Sequence, residues 1–214
     1  MAPRRPSVNH DDGRTTREMI LDAAEKRFAE RGYAGVAVRE IATDAGLKNQ
    51  ASLYHHFKNK RAIYEAVLAR GIEPLIALIP GGGSFRFDSD TAEALVDVML
   101  NYLAERPNLP RLIQRAGLDD AKYLRKTLPK LLRPLYEQGL RMLSTANGPW
   151  RQDELPHVAA GFYHLIFGYF ANAGLLEAVL QSDPASAQAV SRQRSFLKMA
   201  ARKLLGPQGA DARL

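Results

Sequence analysis

The sequence of 214 residues predicts an all-α protein, with a three-helix unit at its amino-terminal end and a larger helical body after it. Two observations favour this fold class. Apolar residues recur at intervals of three and four along most of the chain, and no segment alternates convincingly between apolar and polar residues as a strand would. In addition, a glycine turn separates two short helical patterns within residues 38–57, which is the arrangement of a helix-turn-helix.

A long first helix is predicted to begin near residue 15 and to end at Gly32. Thr15 or Thr16 is a suitable N-cap, and Glu18 in the first turn favours the helix dipole. The inner face of this helix is apolar and consists of Ile20, Leu21, Ala24, Phe28 and Ala29.

Two short helices follow. The first has a small apolar face formed by Val38, Ile41, Ala42 and Ala45. Gly46 stands where this helix must end in a left-handed or otherwise sharp conformation, which glycine reaches without strain. In the second helix, predicted over residues 51–57, we expect Leu53, Phe57 and part of Tyr54 to face inward.

A connecting helix is predicted from residue 60 to residue 71. Pro74 and the segment 80–84 are expected to break the helical order after it. The three glycines of that segment have no strand before them and no Gly-Lys-Ser/Thr after them. A phosphate-binding loop is therefore excluded, and a plain loop is predicted.

The rest of the chain is predicted to be helical, over residues 91–105, 109–117, 121–147, 157–180 and 183–205. Pro129 and Pro134 must kink the third of these helices or split it in two. The fourth is apolar on nearly all sides, which indicates burial on more than one side.

Both ends of the chain are predicted to lack fixed structure. Residues 1–13 form a flexible arm, in which Arg4 and Arg5 either contact DNA or make no fixed contact. Residues 206–214 form a disordered tail.

The composition is that of an ordinary globular protein, with 46% hydrophobic and 25% charged residues and a net charge of +7. Because the chain has no cysteine, it can form neither disulfides nor thiolate metal sites. No apolar run approaches the length of a membrane span, and the first residues lack the apolar core of a signal peptide. We therefore expect a cytoplasmic protein without a membrane partner.

No enzyme motif is present. The sequence lacks the HExxH pattern of zinc proteases and the GxSxG pattern of serine hydrolases. His55 and His56 are adjacent, so they point to different faces of a helix and cannot bind one metal ion together. We therefore expect a protein that is not an enzyme and uses no cofactor or metal, although an acid–base pair assembled from distant residues stays open.

The first third of the chain contains four blocks in a fixed order: RFAERGY at 27–33, VREIA at 38–42, AGL at 45–47 and LYHHFKNK at 53–60. Together they resemble the tetracycline-repressor (TetR) family of transcriptional regulators, and several ordered blocks are more specific than one motif. The sequence departs from the family at one point. Between Gly46 and Leu53 it carries one residue more than the usual turn, which either lengthens the turn or extends the front of the second helix.

The resemblance implies a helix-turn-helix DNA-binding domain at residues 14–71, with the motif at 38–57, and a helical effector-binding and dimerisation domain at residues 72–205. It implies a homodimer formed through the last two helices, which binds a palindromic double-stranded DNA operator. We expect a repressor that leaves its operator when an unknown small molecule binds the second domain. The alternative is a constitutive DNA-binding regulator without a small-molecule effector.

The residues expected to contact DNA lie around the glycine turn. No Asp or Glu occurs between Asp44 and Glu65, and a polyphosphate backbone favours such local positive charge. Base or phosphate contacts are expected from Gln50, Ser52, Tyr54 and His55, and backbone contacts from Thr16, Arg39, Lys58 and Lys60. Lys48 and Asn49 of the turn complete the predicted DNA-binding set.

The residues expected to line an effector pocket are Tyr102, Arg111, Arg115, Tyr136, Met142, Phe162, Tyr163 and Phe167. An aromatic cavity with one or two arginines suits an amphipathic or anionic ligand. Each aromatic residue taken alone is also consistent with an ordinary core position. His164 is interpreted as a buried histidine or an interface residue rather than a metal ligand.

Overall fold

A computed structural model describes residues 14–79, 86–118 and 124–205. These residues form ten α-helices and one 3-10 turn and contain no strand, which confirms the predicted all-α class. The helices are α1 (Thr16–Arg31), α2 (Val38–Asp44), α3 (Gln50–Tyr54), α4 (Lys60–Leu78), α5 (Ser89–Ala104), α6 (Asn108–Leu118), α7 (Leu124–Leu143), α8 (Leu155–Ala171), α9 (Ala173–Leu180) and α10 (Ala187–Leu205), with the 3-10 turn at Gln152–Glu154.

Three predicted segments lie outside the described residues: the arm at 1–13, the glycine-rich loop at 80–84 and the tail at 206–214. Within the described segments, no helix is long and apolar enough to cross a membrane.

Helix α1 begins and ends where the sequence predicts. The Thr15 hydroxyl accepts a hydrogen bond from the backbone N–H of Glu18 at 3.2 Å, and the Glu18 carboxylate accepts one from the backbone N–H of Thr15 at 2.7 Å. This capping box satisfies two N–H groups that the helix leaves unpaired, and the bond from the Thr15 N–H is the main reason why the pKa of Glu18 is lowered. Gly32 ends the helix with φ of 69°.

The amino-terminal core joins α4 to the first three helices. Leu53 and Phe57 are buried, as predicted. The Tyr64 ring of α4 meets Phe28 of α1 edge-on, with centroids 4.7 Å apart, and meets Tyr33 at 5.2 Å. Such aromatic pairs contribute about 0.5–1.5 kcal/mol each beyond the area they bury. Packing of the Tyr64 ring therefore ties α4 to α1 and to the segment directly after it.

Helix α4 continues through Pro74 to Leu78, so the prediction of a break at Gly71 and Pro74 was wrong. An interior proline costs a helix about 3 kcal/mol. Burial of Ile72 and Leu75 on either side of it offsets that cost. Gly71 serves close packing rather than helix ending, because a Cβ added there would lie 2.3 Å from the Leu109 side chain.

The two long helices near the end of the chain compare differently with prediction. Helix α7 runs unbroken from Leu124 to Leu143 with both prolines inside, which excludes the split but not the kink that was its alternative. The helix predicted over 157–180 is instead divided into α8 and α9 at Asn172, whose φ of −98° and ψ of 20° lie outside the helical region. The backbone N–H and the side-chain amide of Asn172 both donate to the Gly168 carbonyl, at 3.1 and 2.9 Å, and these two bonds close the last turn of α8.

In the larger domain, α10 packs along α5 through an apolar strip bordered by ion pairs. Leu197 and Ala201 of α10 are buried. Beside them, Asp97 of α5 accepts hydrogen bonds from Arg194 at 2.7 Å and from Lys198 at 2.6 Å. The two cations hold the pKa of Asp97 below its ordinary value although burial acts in the opposite direction.

Candidate DNA-binding surface and internal cavity

Helix α3 is a short, capped helix on the surface. It begins at Gln50 because the Asn49 side chain accepts hydrogen bonds from the Ser52 N–H at 2.9 Å and the Ser52 hydroxyl at 3.2 Å. It ends at Tyr54, three residues earlier than the sequence predicted. Lys48 lies before the cap and Gln50 is the first helical residue, one position earlier than the predicted start of this helix.

The outer face of α3 carries a polar pair. Tyr54 is 46% exposed, which agrees with the prediction that only part of it faces inward. Its hydroxyl accepts a hydrogen bond from the Gln50 side-chain amide at 3.1 Å, as side chains four residues apart on a helix can do. Leu53 fills the inner face, and its burial turns Gln50 and Tyr54 toward solvent together.

The sides of this surface are cationic. The Lys60 ammonium lies 4.4 Å from the centre of the Tyr33 ring, and the Arg17 guanidinium lies 5.1 Å from the centre of the Phe57 ring. Both distances fit cation–π contacts, which position the charges beside α3. Arg17 was not predicted; its only signal in the sequence was its place next to Thr16 in the first turn of α1.

The nearby carboxylates of α2 form ion pairs with arginines of α1. Asp44 binds the guanidinium of Arg27, and the hydrogen bond with Arg27 is the main reason why the pKa of Asp44 is lowered. Glu40 accepts the backbone N–H of Ala37 at 2.8 Å and the Arg31 guanidinium at 2.7 Å, and its pKa is lowered chiefly by the first of these bonds. Negative charge on α2 is thus compensated locally, next to a surface whose charges are positive.

The structure gathers the predicted DNA-contacting residues on and around α3. Seven are exposed: Arg39, Lys48, Asn49, Gln50, Tyr54, His55 and Lys58. Three are half-buried: Thr16, Ser52 and Lys60. The side chains of Asn49 and Ser52 also form the cap of α3, so each has a structural role that the sequence analysis did not include. A small helix with exposed polar side chains and flanking cations has the shape and charge to enter the major groove.

A cavity of about 800 Å³ lies in the larger domain, mainly between α5, α7 and α8. Its walls are aromatic and aliphatic, with Phe87, Leu95, Met99, Leu132, Leu135 and Ile166 among them. Five of the eight predicted pocket residues line it: Tyr136, Met142, Phe162, Tyr163 and Phe167. The Tyr163 and Phe167 rings stack with their centroids 5.0 Å apart.

The other three predicted pocket residues lie outside this lining. The Tyr102 hydroxyl instead donates to the Gly71 carbonyl at 2.9 Å, and the Tyr102 ring contacts the Arg106 guanidinium. Arg111 and Arg115 belong to α6, whose buried residues pack against α1 and α8 rather than into the cavity. The charged residues that do line the cavity are Arg133 and Glu137 of α7, which the sequence analysis missed. Their spacing of four residues places them on one helix face and was the available signal.

The interpretation of His164 can be compared with the structure. His164 is exposed on α8, so of its two predicted environments the buried one was wrong and the interface position stays a prediction. Among the described residues, no three His, Asp or Glu side chains are grouped as a metal site would require.

The chain is similar in sequence to several known proteins. Residues 20–67 match the family model described as "Bacterial regulatory proteins, tetR family". The HTH-type transcriptional repressor SCO4008 of Streptomyces coelicolor is 31% identical over 108 residues, 50% of this chain and 53% of that protein. The HTH-type transcriptional repressor NicS of Pseudomonas putida is 26% identical over 212 residues, 92% of this chain and 95% of that protein.

A solved structure shows the same fold. The TetR transcriptional regulator of Legionella pneumophila superimposes with a TM-score of 0.63 at 19% sequence identity, and the match covers 87% of this chain and 97% of that one. The chain spans only about half the length of the first curated relatives it matches. These relatives are transcriptional regulators, a class of proteins that are not enzymes.

Proposed function

We propose that this chain, whose residues 20–67 match the family model of the TetR regulators, is a dimeric transcriptional repressor that a small molecule releases from DNA. The observation that carries the proposal is the outer face of α3. There, Gln50 and Tyr54 are exposed together on a capped helix between two positioned cations, Arg17 and Lys60.

In this proposal α3 enters the major groove. Gln50, Tyr54 and His55 then reach base edges, since amide and hydroxyl groups can match the donor and acceptor pattern of the bases. Thr16, Arg39, Lys58 and Lys60 contact the phosphate backbone, and Arg17 joins them because it lies beside Phe57 at the end of the motif. Such contacts set orientation and affinity, whereas the base contacts set sequence preference.

A second copy of the chain is proposed to cover the outer faces of the last three helices. Of the large hydrophobic side chains exposed in the described residues, most lie there: Leu165, Leu175, Val179, Leu180, Phe196, Met199 and Leu204. A Cβ added at Gly161 or Gly168 would meet no atom within 4 Å, so a partner helix has room to approach α8. A two-fold dimer presents two α3 helices to half-sites about one turn, ~34–36 Å, apart.

Small-molecule control is proposed to act through the cavity, whose presence favours a ligand-released repressor over a constitutive regulator. Ile79, which directly follows α4, lines the cavity. Near the middle of α4, Arg70 bonds Asp22 and Glu25 of α1, both at 2.6 Å. A ligand that moves the end of α4 is thus connected to the DNA-binding unit. The ligand must bind one spacing of the paired domains better than the other, because equal affinity shifts nothing.

The proposed division of the chain into a domain at 14–71 and a domain at 72–205 falls within α4. The two domains therefore share one continuous helix rather than a loop.

The DNA-binding part is tested by selecting duplexes from a random pool with the full chain and measuring their affinity by fluorescence anisotropy. We expect an enriched palindrome with two half-sites, bound at least about a thousandfold more tightly than random DNA. Arg141→Ala, which removes an exposed charge from α7, serves as a control that leaves the affinity unchanged. Recovery of no preferred sequence would contradict the proposal.

A further inference from the structure

We propose that the cavity binds an amphipathic anion, with an apolar body inside and one anionic group at the opening beside Lys130 and Arg133. The inference rests on the proposed function, since it names the class of small molecule that would act as the effector.

The interior of the cavity favours an apolar body. Apart from Arg133 and Glu137, the lining side chains are aliphatic or aromatic, and the two tyrosine hydroxyls are the polar atoms of its aromatic part. A cavity of about 800 Å³ matches the size range of sites that enclose drug-sized ligands. Water in such a space would find few hydrogen-bonding partners, so its replacement by an apolar ligand is favourable.

One half-buried polar side chain of the lining also points to a ligand. Tyr163 lines the cavity, and burial raises the pKa of its hydroxyl, so the hydroxyl is neutral at physiological pH. Among the described residues it has no hydrogen-bond partner. A single polar atom on the ligand body would satisfy it.

One border of the cavity is cationic. A surface depression on α7 is lined by Pro129, Lys130, Arg133, Pro134 and Glu137, and it shares three of these residues with the cavity. This face of α7 therefore borders both spaces, and the proposal places the opening there. Its charged groups are two cations and one carboxylate, which leaves one positive charge for a ligand to balance.

The arrangement of these charges favours an anion over the other ligand classes. Arg133 and Glu137 are one helical turn apart, yet no ion pair joins them within the described part of the chain. The Arg133 guanidinium is thus available to form two parallel hydrogen bonds with a carboxylate or phosphate. A cationic ligand would meet repulsion from Lys130 and Arg133, and a neutral one would gain nothing from either.

The test uses three probes that share a twelve-carbon chain: dodecanoate, dodecanol and dodecylammonium, each below its micelle concentration. Calorimetric titration of the full chain should give the tightest binding for dodecanoate, about two- to fivefold tighter than for dodecanol, as expected for an exposed ion pair. Dodecanoyl-coenzyme A is a fourth probe. Tighter binding of dodecanoate than of this thioester would indicate that the site takes a free carboxylate, and the reverse order would indicate a larger anionic group on an acyl thioester.

Variants localise the binding. Arg133→Gln should remove the preference for dodecanoate over dodecanol, Glu137→Gln should strengthen it, and Arg141→Gln, on the same helix but outside the lining, should leave it unchanged. Gly139→Leu should weaken the binding of every probe. Gly139 lies on the lining, and an added Cβ there meets no atom within 4 Å, so a larger side chain has room to begin there and takes up part of the space that a ligand would use.

The inference is overturned if no probe binds, if dodecanol binds as tightly as dodecanoate, or if Gly139→Leu binds dodecanoate normally. DNA affinity of the same preparation without any probe is measured in parallel. Loss of sequence-specific DNA binding together with intact dodecanoate preference would contradict the proposed function alone. Normal DNA binding without that preference would contradict only the ligand class.

Discussion

Gly46 shows how one residue sets the geometry of the DNA-binding surface. Its φ of 70° lies in the left-handed region, and a Cβ added there would meet no atom within 4 Å. A substitution therefore costs conformational energy without a steric clash. We expect Gly46→Ala to lower the free energy of unfolding by about 1–2 kcal/mol, measured by urea denaturation.

Gly46→Asn provides the comparison, because asparagine adopts left-handed conformations more readily than alanine. It should lose less stability than Gly46→Ala. If alanine and asparagine were equally harmful, or both harmless, the backbone conformation would not be what requires glycine at this position.

Lys60 and Gln50 should affect DNA binding in different ways. Lys60→Ala should weaken binding to all duplexes and lower the slope of log affinity against log salt by about one, because one fewer counterion is released. Gln50→Ala should instead relax base preference at one position of each half-site, by about 1–3 kcal/mol of discrimination. Both are measured by anisotropy over a salt series with matched and mismatched duplexes.

Two further variants separate charge from packing in this test. The Lys60 ammonium also lies over the Tyr33 ring, so Lys60→Ala is accompanied by Lys58→Ala, which removes an exposed charge next to the same motif. Arg141→Ala controls for net charge. An unchanged salt slope in both lysine variants would rule out their contact with the phosphate backbone.

Residues governed by local rules were predictable, and those governed by tertiary packing were not. The N-cap at Thr15, one of two threonines predicted for that role, and the turn at Gly46 depend on a few neighbours in sequence. The continuation of α4 past Gly71 depends instead on a side chain of another helix, since Leu109 packs against that glycine. The charges at the cavity depend on how α7 faces α5 and α8, which periodicity does not specify.

At the scale of elements, α3 depends on its cap because five residues are too few to form a stable helix alone. Asn49→Ala removes the acceptor for the Ser52 N–H and should lower the free energy of unfolding by about 1 kcal/mol, as measured by thermal and chemical denaturation.

Asn49→Asp tests the cap and the DNA surface separately. Aspartate caps a helix as well as asparagine does, so stability should be retained, whereas a negative charge facing phosphate should weaken DNA binding. If Asn49→Asp bound DNA as tightly as the unsubstituted chain, Asn49 would lie away from the phosphates. If it unfolded as readily as Asn49→Ala, the capping role would be wrong.

The length of helix α4 was the hardest feature to predict from the sequence. Pro74 is a reliable signal for a helix end in isolation, but burial of Ile72 and Leu75 holds the helix together around it. Its continuity has a functional consequence. Tyr64 packs in the amino-terminal core and Ile79 lines the cavity, so one helix and the residue after it connect the proposed DNA site with the proposed ligand site.

At the scale of the whole molecule, the cavity lies between the two surfaces that the proposal requires. Ile79 connects its lining to α4, and Ala201 connects it to α10, where the exposed apolar residues lie. A ligand in the cavity therefore contacts both the element that carries the DNA-binding unit and an element of the proposed dimer interface. Changes in the spacing of two DNA-binding units require such a connection.

The dimer itself gives the last prediction. Phe196 of α10 is 45% exposed, and Phe196→Glu would place a charge in the proposed interface, where burial without a partner is costly. We expect this variant to sediment as a 23.7 kDa monomer while its circular dichroism spectrum stays helical. Its affinity for the selected palindrome should fall about a hundredfold or more, because the second half-site then binds independently.

Leu118→Glu is the matched control. Leu118 is 78% exposed at the end of α6, outside the apolar faces of the last three helices, so the same change of charge should leave the dimer and its DNA affinity intact. Dissociation of both variants would indicate a general loss of stability rather than a specific interface. A Phe196→Glu variant that stayed dimeric would place the two-fold contact elsewhere on the molecule. The spacing of the two α3 helices would then have to be set by a different pair of elements.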